Sequence, residues 1–230
     1  MIFKKHIPNF LTLLNLLAGC VGIIFALEGN QFLAAVFIWT AAIMDFLDGF
    51  AARLLKVHSA IGKELDSLAD VVSFGVLPSC ILFQMLRGAS GSEILPYAAF
   101  LVALFSALRL ARFNVDDRQS DSFIGLPVPA NAIMISSYPL IAEETGFFLF
   151  DNAAFLIFLT VLSSYLLVSG IPLFAFKFKG FGWKENRPKY IFLLLSLCLI
   201  ALFRIPAIPA IILLYILFSV ILNSFSNQVR

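Results

Sequence analysis

Apolar positions along this chain come in long runs broken by short polar stretches. Eight of the runs have roughly the length a helix needs to cross a bilayer, about 17 to 25 residues. They cover approximately residues 9–28, 31–55, 65–87, 94–113, 128–143, 150–176, 189–203 and 206–224. The connections are short, and no soluble or low-complexity segment interrupts them. The pattern predicts a single domain over residues 1–230, an all-α polytopic membrane bundle of about eight transmembrane helices.

Composition supports a lipid environment: 61% of positions are hydrophobic and 13% charged, about half the charged share of a soluble domain. Lys4 and Lys5 precede the first run as they would in a secretory signal. No small-x-small cleavage site follows and seven more runs do, so the first is read as a retained span. With eight spans and a cytoplasmic N-terminus, 14 of the 16 Lys and Arg residues fall on the cytoplasmic side, and only Arg87 and Arg204 outside. A multi-pass protein of the inner or plasma membrane, with both termini cytoplasmic, is expected.

The loop holding Lys177, Lys179, Trp183, Lys184, Arg187 and Lys189 suits anionic headgroups. A net charge of +2 gives no reason to expect a nucleic-acid partner. Cys20, Cys80 and Cys198 lie inside apolar runs without C-x-x-C spacing and are read as buried, inert thiols. His6 and His58, in polar flanks, are read as solvated.

Four aspartates do not fit a greasy bundle. Asp45 and Asp48 stand i, i+3 on the second span, and Asp66 and Asp70 stand i, i+4 at the start of the third, so each pair shares a helix face. An ionised carboxylate at a helix centre costs on the order of 3 kcal/mol even on the lenient insertion scale. Arg53, Lys56 and Lys63 are too few and too near the surface to offset four of them. Clustered carboxylates are hard ligands suited to Mg2+ or Mn2+, and four can hold two ions about 4 Å apart. Asp45 precedes Arg53 by eight residues, roughly 12 Å of helix. The site is therefore expected between helices two and three, near the cytoplasmic face but below the headgroups. Gly49 and Ala52 leave room for a ligand or a close helix contact, and Gly62 offers a turn between the two helices.

The order Asp45, Asp48-Gly49, Ala52-Arg53, Gly62, Asp66, Asp70 has the spacing D-x2-D-G-x2-A-R-x8-G-x3-D-x3-D. It resembles the signature of the CDP-alcohol phosphotransferases. The stretches "IPNFLTLLNLLAG", "RLARFN" and "GLPVPAN" are similar to the serine-using branch of that family, and the resemblance covers roughly residues 8 to 131. It implies transfer of a phosphatidyl group from CDP-diacylglycerol to L-serine with release of CMP, in a homodimeric membrane enzyme.

The resemblance also implies roles. Asp45, Asp48, Asp66 and Asp70 would hold Mg2+ or Mn2+, with Asp70 also the general base. Asn9, Thr12, Gly49, Ala52, Arg53 and Gly62 would form the CDP site, although Asn9 equally suits a helix cap. Arg109, Arg112 and Asn114 would meet the serine, whose carboxylate calls for a cation. The same metal site would serve an acceptor such as glycerol 3-phosphate or an inositol phosphate, and an ether-linked CDP-archaeol would meet the same headgroup chemistry. A phosphorylated acceptor should demand a denser basic pocket. A cation transporter would instead place its acids near the midplane, in two repeated halves.

Overall fold

A computed structural model describes residues 6–57, 59–115, 122–174 and 182–228. Lys4, Lys5, His58, Asp116, Asp117, Arg118, Asp121, Lys177 and Lys179 lie outside the described residues, as do the side chains of Trp183 and Lys184. Every predicted run contains a helix. They are α1 (His6–Leu27), α2 (Gln31–Leu55), α3 (Ala60–Asp70), α4 (Leu77–Ala89), α5 (Leu101–Val115), α6 (Val128–Thr145), α7 (Ala153–Val168), α8 (Trp183–Phe203) and α9 (Ala207–Gln228). A π-helical turn, Val71–Val76, fuses α3 to α4, so one rod runs over Ala60–Ala89. Among the described residues five helices are both long and apolar enough to cross a membrane. Helix α7 and the apolar part of α9 are shorter, and α6 carries Asn131, Ser136, Ser137, Glu143 and Glu144. The protein is an all-α polytopic membrane bundle.

The Ala60–Ala89 rod is the axis of the bundle: 61% of its most apolar window is buried, against 17–33% in the other four long spans. Phe74, Leu77, Ile81, Leu82 and Leu86 are fully enclosed. The π-helical turn has a local cause in Pro78. Proline has no N–H to donate, and its ring crowds the carbonyl four residues back, here Phe74. The chain widens ahead of it, and Leu77 donates its N–H to Val72 O.

Helix α1 lies in the groove between α2 and the rod. Its buried face is Pro8, Thr12, Asn15, Ala18, Gly19, Gly22 and Ala26, small or polar residues at three- and four-residue spacing. Lipid gives helices no hydrophobic reason to associate, so close backbone approach must supply the contact energy. A Cβ on Gly22 would stand 2.9 Å from Phe37 Cβ, and one on Gly19 would collide with Ser73. Helix α6 is buried along most of its length, and Trp39 of α2 donates its indole N–H to Ser136 Oγ at 3.0 Å.

Two departures from the hydropathy pattern occur. The run 150–176 ends as helix at Val168, and Pro172–Phe174 forms a strand, β2, antiparallel to β1 (Ser122–Ile124), with Phe123 opposite Leu173. Gly170 and Pro172 stop the helix, and a short apolar run is compatible with either conformation. The ribbon joins the α5–α6 connection to the segment after α7, placing both at one end of the bundle. Gly125, at φ 77°, lets the chain pass so close to α7 that a Cβ would lie 2.5 Å from Leu167 O. Pro127 is extended and Pro129 occupies the first turn of α6, as proline sterics require. The second departure concerns cysteines: Cys80 is buried, but Cys20 and Cys198 face outward from their helices.

Candidate active site

The carboxylate pairs converge because α2 and α3 are joined by a tight, well-capped turn. At the end of α2, Val57 N–H bonds Ala52 O at 3.0 Å and Lys56 N–H bonds Arg53 O at 3.2 Å. This is the double closure of a Schellman motif, with Lys56 at φ 52° in the left-handed position usually held by glycine. Ser59 then caps α3, its Oγ accepting from Gly62 N–H at 2.9 Å. Gly62 is therefore not the turn residue expected from the sequence but part of the first turn of α3. Its lack of a side chain admits α1: a Cβ there would lie 3.0 Å from Asn9 Oδ1. Asn9 itself sits inside α1, whose first residue is His6, which removes the capping alternative.

Asp45, Asp48 and Asp66 each offer an oxygen within 4.8 Å of the others. Asp48 is buried, and Thr12 Oγ1 donates to its Oδ2 at 2.6 Å. Asp66 Oδ1 is buried without a hydrogen-bond partner. Three carboxylates this close repel one another at several kcal/mol in a medium of reduced dielectric. Together with the orphaned oxygen, this makes them a fit for a hard divalent cation.

The triad forms one wall of a cavity of about 660 Å³, lined also by Asn9, Thr12, Gly49, Ala52, Arg53 and Gly62. All six residues expected at the nucleotide site are thus brought together. Nothing lies within 4 Å of where a Gly49 Cβ would be, so the glycine keeps space in the cavity rather than admitting another helix. Arg53 and Lys63 are exposed cations on the lining. Sequence reasoning missed Lys63 and Ser59 as lining residues. Their place one turn from Asp66 and three residues before Gly62 was the available signal.

Asp70 lies outside the group of three. It is buried, and Asn15 Nδ2 of α1 donates to its Oδ1 at 3.1 Å. Gly75 of the π-helical turn abuts Ser106 of α5, at 3.2 Å from a notional Cβ to Ser106 Cβ. One turn further along α5, Arg109 is buried and interacts electrostatically with Asp70. Its Nε has no hydrogen-bond partner. The three residues expected at the serine site therefore separate. Arg112 is exposed, and Asn114 is engaged with α3, its Nδ2 donating to Ser67 Oγ at 2.8 Å while its carbonyl accepts from Lys63 Nζ at 2.9 Å.

A sequence model described as CDP-alcohol phosphatidyltransferase matches residues 5–177, and the chain belongs to that family. It is 34% identical over 219 residues to the CDP-diacylglycerol-serine O-phosphatidyltransferase of Helicobacter pylori strain ATCC 700392 / 26695, covering 93% of this chain and 89% of that one. The enzyme of the same name from Bacillus subtilis strain 168 is 38% identical over 129 residues, 54% of this chain and 70% of the relative. An archaetidylserine synthase of Methanothermobacter thermautotrophicus is 35% identical over 168 residues, 72% and 68% of the two chains. Family membership sets aside the cation-transporter reading.

Proposed function

We propose that this protein transfers the phosphatidyl group of CDP-diacylglycerol to the hydroxyl of L-serine, releasing CMP, as a step in phospholipid synthesis. The observation that carries the reading is the Asp45–Asp48–Asp66 triad on the wall of the cavity, with Asp70 buried one helical turn beyond Asp66. Both relatives named as phosphatidyltransferases and the archaetidylserine synthase carry serine in their names.

Asp45, Asp48 and Asp66 would hold Mg2+ or Mn2+. Bound there, the metal supplies positive charge against the diphosphate and the departing CMP. The nucleotide lies in the cavity, its phosphates within reach of Arg53, its bulk in the space kept by Gly49 and Ala52, and its polar edges near Asn9 and Thr12. Asp70, expected from the sequence as both ligand and base, is assigned as the base. The serine oxygen bonds to the lipid-bearing phosphorus, the bond from that phosphorus to the CMP oxygen breaks, and the hydroxyl proton passes to Asp70. An aspartate is a weak base for an alcohol, so the proton leaves late, as charge develops on the nucleophile.

Arg109, buried and with an Nε that has no hydrogen-bond partner, is assigned to the serine carboxylate. Arg112 and Asn114 serve at most at the edge of that site. The basic residues flanking the cavity end of the bundle favour a cytoplasmic active site and termini, and the family resemblance supports a homodimer.

The deciding experiment measures CMP release by the purified protein in detergent with CDP-diacylglycerol and Mn2+ or Mg2+. Serine, glycerol 3-phosphate, inositol phosphate and no acceptor are compared. Release that needs serine and metal is expected; release with a different acceptor overturns the assignment of Arg109.

A further inference from the structure

We infer that Asn15 is the positioning residue for Asp70, holding one carboxylate oxygen so that the other is turned toward the acceptor hydroxyl. The inference rests on the reading of Asp70 as the base. Asn15 is fully buried on the inner face of α1, and Nδ2 donates to Asp70 Oδ1 at 3.1 Å. Its backbone carbonyl in turn accepts from Ser73 Oγ at 2.9 Å. These two bonds clamp α1 to the rod on either side of the point where α3 gives way to the π-helical turn. Gly19, one turn along α1, is what lets Ser73 come close enough.

The amide is not there for its own satisfaction. Asn15 Oδ1 is buried and has no hydrogen-bond partner. A side chain serving only packing would be apolar at this position, because each unpaired buried polar atom is a cost to folding. The orientation with Nδ2 toward Asp70 is the one that gives the carboxylate a donor, and it leaves the acceptor side orphaned. A neutral amide also fixes a carboxylate without neutralising its charge. With Oδ1 engaged by Asn15, the second oxygen remains the one free to take a proton. Reacting groups misplaced by about 1 Å can lose on the order of 10²-fold in rate, so a single positioning bond can be decisive.

The test uses the full-length protein with CDP-diacylglycerol, serine and Mn2+, comparing wild type, Asn15→Leu and Ser73→Ala. Leucine keeps the volume and removes the donor. Asn15→Leu is expected to lower kcat by about 10²-fold, with KM for CDP-diacylglycerol and the affinity for CDP, measured by titration, within about twofold of wild type. Ser73→Ala frees only the backbone carbonyl of Asn15 and should lower kcat less, again without moving KM. Full kcat in Asn15→Leu, beside an active wild type, overturns the inference alone. Loss of CDP binding together with kcat overturns it too, since Asn15 would then be packing. Wild-type protein that binds CDP but releases no CMP with serine overturns the reading of the base, and this inference with it.

Discussion

Thr12 of α1 donates its hydroxyl to Asp48 Oδ2 of α2 at 2.6 Å, joining the first helix to the carboxylate triad across 36 positions of sequence. The threonine lies on the cavity wall where the nucleotide is expected, and it also orients a carboxylate. Thr12→Val keeps the shape and removes the donor. It should raise the metal concentration needed for half-maximal activity by about tenfold, the effect typical of losing a partner behind a metal ligand. Titration of CMP release against Mn2+ measures this, and an unchanged curve would assign Thr12 to packing alone.

Removing a member of the triad should separate stability from activity. Asp66→Asn deletes one of three mutually repelling charges, so the metal-free protein should melt no lower than wild type. Activity should fall by 10³-fold or more, since electrostatic stabilisation is commonly the largest catalytic contribution. Mn2+ should raise the Tm of wild type and leave that of the variant nearly unmoved.

Gly49 gives an opposed pair of effects. It stands inside α2, where alanine is favoured over glycine by about 1 kcal/mol, and nothing in the protein obstructs a Cβ. Gly49→Ala should therefore raise thermal stability while weakening CDP binding several-fold. Equal CDP affinity would show that the nucleotide does not occupy that part of the cavity.

Lys56 carries positive φ at the end of α2, a conformation that costs a non-glycine residue about 1 kcal/mol. Lys56→Gly should recover part of this, roughly 0.5 kcal/mol after the added freedom of the unfolded chain. Turnover should not change, because Lys56 is not on the cavity lining. A lower Tm would mean that the lysine side chain itself supports the turn.

The two arginines of α5 should behave differently. Arg109 is buried and Arg112 is exposed. Arg109→Lys keeps the charge but loses the planar fork, and should raise KM for serine at least tenfold while leaving KM for CDP-diacylglycerol nearly constant. Arg112→Gln should alter neither by more than about twofold, as expected of a solvated charge. Kinetics with serine as the varied substrate decide between them.

Hydropathy alone determined the class of protein and the existence of each helix, because a helix in lipid must be apolar over a fixed length. The same rule placed four aspartates as exceptions needing a reason, and their i, i+3 and i, i+4 spacing put each pair on one face. It misjudged the segment after Val168, where an apolar run of strand length gives no period to read. Tertiary structure alone decided which neighbours the aspartates keep. Asp45, Asp48 and Asp66 group together because a Schellman turn and the Ser59 cap fold α3 back along α2. Asp70 turns away to Asn15 because small residues on α1 admit that helix to the rod. Arg109 and Arg112, three positions apart and alike in sequence, part company because α5 buries only one of them against the bundle. Spacing along a chain fixes which face of its own helix a residue occupies; what that face meets depends on how helices distant in sequence pack, and that is settled by shape in three dimensions.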